Sequence, residues 1–211
     1  MPYEPFIDDP EHIRALDRQR FVVLRPAAPV SESYRQVQGV LRQQLSGLPV
    51  SYTARAHVTL AGFAAGTPLE SVQDLVSGWI GDVPALRIEV QRATSFPTPF
   101  QIAILQVVKT PALFAALQGL RRKAQERGLS VSAITPAEEW VFHMSLAYCS
   151  NLNATEWGRL VPLIEMLHVP RASCMVETVE IVAFDAGREF SGGIQPLSHE
   201  ASGSGFNNVA V

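Results

Sequence analysis

One order of strands and helices occurs twice in this chain, which predicts a duplicated domain mixing the two. Three observations carry that expectation. The order strand, helix, strand, helix, strand is legible over about residues 21–90 and again over about 101–184. A histidine opens the middle strand of each half, His57 and His143, and the five-residue stretches HVTLA and HMSLA follow one pattern. Finally, 211 residues with 47% hydrophobic and 18% charged side chains suffice for one large domain, or two small lobes sharing a core.

The elements follow from local pattern. Phe21–Leu24 is a short apolar run stopped by Pro26 and Pro29. Ser31 is placed to cap a helix through about Leu45, with Val37 and Leu41 at helical spacing and Gly47 beyond its end. His57–Phe63 reads as a strand. Leu69, Val72, Leu75, Val76 and Trp79 then mark a helix starting near Pro68. Leu86–Val90 is a strand and 95–99 a turn. Gln101–Val108 is the most strand-like stretch, and Pro111 opens a helix with Leu113, Leu117 and Leu120 on its stripe and Gly128 as its stop. Val141–Tyr148 is a strand, and Asn153 caps a helix to about Leu167 that Pro162 should kink or interrupt. Val176–Phe184 is the last strand. The boundaries that result are an irregular N-terminal arm over 1–19, one domain over 20–186, and a loose Gly/Ser/Asn-rich tail over 187–211.

Composition narrows the function classes. A net charge of −3 argues against a broadly basic nucleic-acid binder, while leaving room for a local basic groove. Two cysteines, Cys149 and Cys174, make neither a disulfide framework nor a zinc pattern, so a reducing cytoplasm is expected. The acidic, proline-containing start lacks the features of a signal peptide, and no apolar run reaches the roughly 18 residues of a membrane span, so no membrane partner is expected.

The two histidine motifs carry the chemistry. Side chains alternate along a strand, so His57 and Thr59 share one face while Val58 and Leu60 take the other; His143 and Ser145 stand against Met144 and Leu146 in the same way. An imidazole beside a hydroxyl, twice, suits displacement at phosphorus. One imidazole takes the nucleophile's proton and the other gives one to the leaving oxygen, both near the ordinary histidine pKa of about 6.5. The hydroxyls can donate to non-bridging phosphate oxygens. With five histidines, chance alone gives about one His-x-Thr/Ser match. His12, His168 and His199 do not match, and the two that do fall at equivalent points of the repeat.

On these residues, HVTL at 57–60 and HMSL at 143–146, the chain resembles the 2H phosphoesterase superfamily, which includes the enzymes called 2′-5′ RNA ligases. The resemblance covers roughly 20–185. It implies a bilobal α+β fold, with two pseudo-two-fold-related antiparallel sheets lining a central groove and helices outside. It implies hydrolysis of a 2′,3′-cyclic phosphate or related nucleotide or RNA phosphodiester, with no cofactor and no metal. His57 then resembles the general acid, His143 the base for water, and Thr59 and Ser145 the phosphate-binding hydroxyls. The alternatives are RNA ligation by the reverse reaction and a non-catalytic nucleotide or RNA binder using the same groove. The substrate partner is a nucleotide or RNA end, and the chain is expected to act as a monomer.

Four further side chains are weighed on position alone. Phe63 falls on the His57 face if the strand stays regular, where it could stack on a base. Arg55, two residues before His57, could reach a phosphate. Tyr148 is expected on the face opposite His143, and Cys149 on the His143 face without a basic neighbour. The basic run Arg121-Arg122-Lys123 is expected to lie outside the groove.

Overall fold

The computed structural model describes residues 10–132 and 135–198. Nine strands and five α-helices occur among them. They are α1 Pro10–Ala15, β1 Arg20–Leu24, α2 Val30–Gln44, β2 Ser51–Tyr52, β3 Val58–Phe63, α3 Leu69–Trp79, β4 Leu86–Phe96, β5 Ile102–Val107, α4 Pro111–Glu126, β6 His143–Tyr148, α5 Ala154–Glu165, β7 Ser173–Val176, β8 Thr178–Asp185 and β9 Arg188–Pro196. The strands form two antiparallel sheets, ordered β3-β1-β8-β9 and β2-β6-β5-β4-β7.

The duplication explains this order. In the first sheet β1 lies between β3 and β8; in the second, β5 lies between β6 and β4. Each half of the chain therefore sends its last strand into the other half's sheet, β4 into the second and β8 into the first. The helices cross over in part: α2 packs on β6 and β4, and α4 on β3, while α3 covers β8 and β9 and α5 covers β4. The two lobes thus share one core and cannot come apart without breaking strand pairs.

Helix sequences match their buried stripes. Tyr34, Val37, Gln38 and Leu41 of α2 are buried, as are Val72, Leu75, Val76 and Trp79 of α3 and Leu113, Leu117 and Leu120 of α4. Spacings of three and four put each set on one face. Thr110 caps α4 just before Pro111, its side chain accepting from Leu113 N–H at 3.2 Å. Asn153 and Glu156 form a complete capping box on α5. For α2 the cap position is Pro29, ahead of the expected Ser31 start.

Several expectations need correction. The N-terminal arm contains α1, whose Ile13, with Leu16 just beyond it, packs on Val23, Val182 and Phe184. The tail is not loose at its beginning: β9 pairs with β8 from Thr178↔Pro196 to Asp185↔Arg188. Gly192 and Gly193 misled the reading, since they sit inside that strand. A side chain on Gly192 would meet Leu69 of α3 at 2.7 Å and Ile181 at 3.1 Å, so one could enter only if Leu69 moved aside. Residues 1–9 and 199–211 of these two segments, with His199, lie outside the described residues. Pro162 does not interrupt α5, which runs on to Glu165. Strand β4 continues through Phe96 into the expected turn, and the last expected strand is two, β7 and β8.

Candidate active site

Both histidine strands lie against the shared core by one face and a groove by the other. Val58 and Leu60 of β3, and Met144 and Leu146 of β6, are fully buried. His57, Thr59, His143 and Ser145 line a single groove of about 390 Å³. Contact between β3 and β6 closes the gap between the lobes and brings the two motifs together.

Each strand bulges at the same point. In β3 the register slips so that Val22 opposes Ala61 while Val23 opposes Thr59, leaving Leu60 extra. In β6 Ala103 opposes Ala147 and Ile104 opposes Ser145, leaving Leu146 extra. A one-residue slip turns every later side chain to the other face. Two expectations fail for this reason. Phe63 is carried away from the groove and is 0% exposed in the core, so it offers no stacking surface. Tyr148 is carried into the groove, which it lines, while Cys149 goes to the core. Burial lifts the Cys149 thiol to about 11, well away from nucleophilic use.

The imidazoles are fixed alike. His57 Nδ1 lies 3.1 Å from the Arg55 carbonyl, and His143 Nδ1 lies 2.8 Å from the Val141 carbonyl. Only a protonated Nδ1 can donate to a carbonyl oxygen, so Nε2 is the acceptor nitrogen of each neutral ring. A ring edge also holds His143: Phe96 packs against it at 4.7 Å and 88°. Desolvation pushes the His57 pKa down to about 4, with repulsion from His143 and Arg25 adding to it and the Arg55 carbonyl opposing. Desolvation also lowers His143, opposed by the Val141 carbonyl. Both rings are neutral at pH 7.

Support comes from α2. The Tyr34 hydroxyl lies 2.8 Å from the Ser145 carbonyl and 3.1 Å from that of Thr53, and shares its proton between them. Gln38 Nε2 donates to the Thr53 carbonyl at 2.7 Å, the Leu146 carbonyl at 2.9 Å and the Tyr34 oxygen at 2.8 Å. The bulge takes the Ser145 and Leu146 carbonyls out of the regular ladder, and these two side chains satisfy them.

Arg55 enters differently from expectation. Its carbonyl orients His57, while its side chain lines a separate pocket with Arg25 and Arg35. Arg25 pairs with Glu180, a carboxylate only 3% exposed. Sequence reading missed this pair, along with His12, Ser132 and Tyr148 on the groove wall. Glu180 gave a weak signal as a lone charge inside an apolar strand; His12 and Ser132 gave none. The basic run lies on α4 as expected. Lys123 and Arg122 make exposed contacts with Asp82 and Glu126, but Arg121 stacks on Trp140 at 4.8 Å.

A family model for the 2′-5′ RNA ligase superfamily matches residues 25–188. The chain belongs to that superfamily. Among solved structures it is similar to TT0787 of Thermus thermophilus, at 15% identity and a TM-score of 0.61 over 85% of this chain and 97% of that one. Escherichia coli LigT complexed with 3′-AMP is similar at 17% identity and a TM-score of 0.59, over 86% and 98% of the two chains. A structure described as a phosphoesterase is similar at 16% identity and a TM-score of 0.57, over 92% and 99%. These likenesses establish the bilobal α+β fold of the 2H phosphoesterases. Among curated proteins, none matches the sequence. Among the described residues, no group of three or more His, Cys, Asp and Glu side chains is placed to hold a metal ion, and no helix is long and apolar enough to cross a membrane.

Proposed function

We propose that this protein is a phosphodiesterase that hydrolyses 2′,3′-cyclic phosphates or related nucleotide and RNA phosphodiesters without a metal. The observation that carries the reading is the pair of imidazoles in one groove, each held through Nδ1 and each with a hydroxyl on its own strand face. A nucleotide substrate is also supported by the 3′-AMP held by LigT.

The step balances as an in-line displacement. His143 Nε2 takes a proton from water as its oxygen attacks phosphorus. The bond from phosphorus to one ribose oxygen breaks, and protonated His57 delivers a proton from Nε2 to that oxygen. Thr59 and Ser145 donate to the non-bridging oxygens as charge builds there. A general acid must carry its proton, yet desolvation by the surrounding protein favours the neutral form of His57. The phosphodiester anion resolves this, because a negative charge between the rings favours the protonated imidazole. Run backwards with a ribose hydroxyl in place of water, the same groups would join RNA ends.

The test is turnover of a panel of nucleoside 2′,3′-cyclic phosphates and linear RNA phosphodiesters, with and without EDTA. Wild type should act on at least one, and EDTA should leave the rate unchanged. His57→Ala and His143→Ala should each lose about 10²–10⁴-fold in kcat, the usual weight of a positioned acid or base. Equal rates in wild type and variants, or no turnover across the panel, would overturn the reading.

A further inference from the structure

Three arginines from three separate elements meet in a pocket that shares no residue with the catalytic groove. Arg25 follows β1, Arg35 stands in the second turn of α2, and Arg55 lies between β2 and β3. The cavity measures about 450 Å³, within the roughly 300–1,000 Å³ of ordinary ligand sites. Ala54 and Ala56 flank Arg55 in its wall, and their short side chains leave the space open. Among the described residues no carboxylate lines it.

The fold holds these arginines in place. Arg25 is anchored on Glu180, whose carboxylate is 3% exposed, and is itself only 22% exposed. A buried carboxylate that gave up this partner would be left charged and desolvated, so Arg25 stays where it is. Arg35 Nε donates to the Ser31 carbonyl at 3.3 Å, which draws the side chain back toward the start of α2. That end of α2 also carries the positive pole of the helix dipole. The Arg55 backbone is fixed where its carbonyl receives His57 Nδ1 at 3.1 Å.

Chemistry selects the ligand. A guanidinium is a planar fork whose N–H groups match two oxygens of a phosphate, and it stays charged at every working pH. Forks brought from three elements suit a tetrahedral anion, which offers oxygens in several directions, better than a flat carboxylate. A phosphate group alone fills only part of the cavity, which leaves room for the molecule that bears it.

We propose that this pocket is a second phosphate site, which takes a phosphate group other than the one that reacts between His57 and His143. Binding can be read directly, so the site is tested whichever phosphoester the groove hydrolyses.

The probe is inorganic phosphate, titrated at constant ionic strength and followed by amide NMR. Two sets of signals should move with separate midpoints: Arg35, Ala54 and Ala56 at the pocket, and Thr59 and Ser145 at the groove. Arg35 is exposed, so replacing it leaves the core intact. Arg35→Glu should weaken the pocket midpoint about tenfold or more, the usual weight of a hydrogen bond to a charged group, while the groove signals still saturate. Arg35→Lys keeps the charge without the fork and should lose less. Pocket signals that ignore phosphate, that move equally with sodium chloride, or that keep the wild-type midpoint in Arg35→Glu would overturn the site. A dinucleotide carrying two phosphates then tells where the bound phosphate comes from. If it displaces inorganic phosphate from the pocket, the site serves a further phosphate of the groove's own ligand; if inorganic phosphate stays bound beside it, the site serves a separate molecule. Either result requires the site.

Discussion

Gly62 and Tyr148 occupy the same position in the two halves of the molecule, each in a strand whose bulge turns that position toward the groove. The residues differ because their neighbours differ. A side chain on Gly62 would meet the Phe21 ring at 3.0 Å, so the first lobe fills this space with Phe21. The second lobe leaves it open, and Tyr148 projects there, its hydroxyl near Ser145 and Thr53 and its ring against His12 at 4.2 Å. The groove therefore has a matched pair of imidazoles and an asymmetric wall.

Tyr148 should act as a hydrogen-bond donor to the bound phosphate. Burial raises its pKa, with the Ser145 and Thr53 hydroxyls opposing, so it keeps its proton throughout the neutral range. Tyr148→Phe keeps the ring and removes only the donor. The expected result is a fall in kcat of about 10–100-fold, below the loss of a full oxyanion-hole donor, with the melting temperature nearly unchanged. A variant as active as wild type would show that the hydroxyl plays no part.

Stability should fall as pH falls through the histidine range. The His57 pKa is about 4 in the folded chain and near 6.5 in the unfolded one. Between those values the unfolded state binds more protons, so the contribution is fully present above about pH 6.5 and is lost on going down toward pH 4. His143, also lowered, acts in the same direction. Denaturant midpoints at pH 7.5 and 5 should differ, and the difference should shrink in His57→Gln. Inorganic phosphate should raise the His57 titration midpoint followed by NMR, since an anion in the groove favours the charged ring.

Support from α2 should matter for both fold and rate. Tyr34→Phe leaves the Ser145 carbonyl without its 2.8 Å donor in a buried place. The cost should be about 1–3 kcal/mol in unfolding free energy. The strand residue that loses this anchor also carries the groove hydroxyl, so kcat should fall by about threefold or more even where the folded fraction is complete. Gln38→Leu removes three donations and should cost at least as much.

How far the sequence speaks depends on whether a residue's place follows from local period. His57, Thr59, His143 and Ser145 lie before the bulges, where plain alternation holds, and all four line the groove as expected. Phe63, Tyr148 and Cys149 lie after them, and alternation misplaces each one. Nothing in the Leu-Ala pairs at 60–61 and 146–147 reveals a bulge, because both members are apolar and both belong in the core. The strand exchange between sheets was also hidden, since it arises from pairing partners rather than local sequence. β9 was hidden for a third reason, the glycines at 192 and 193: the first lies close under Leu69 of α3, and the second adopts a φ of +132°.

The N-terminal helix α1 was hidden too, being a single short turn-and-a-half with no buried residue of its own. It matters to the groove because Leu16 and Ile13 cover an apolar patch of Phe21, Val23, Val182 and Phe184, while His12 reaches Tyr148 across the opening. Leu16→Asp puts a charge on that patch, so α1 should detach while the shared core stays folded. The expected signature is a rise in binding of a dye specific for exposed apolar surface, with unfolding stability lower by about 1–2 kcal/mol. Hydrogen exchange should speed up for the amides of residues 12–19 and stay slow in β8. Protection of those amides equal to wild type would show that the arm is held by something other than this patch.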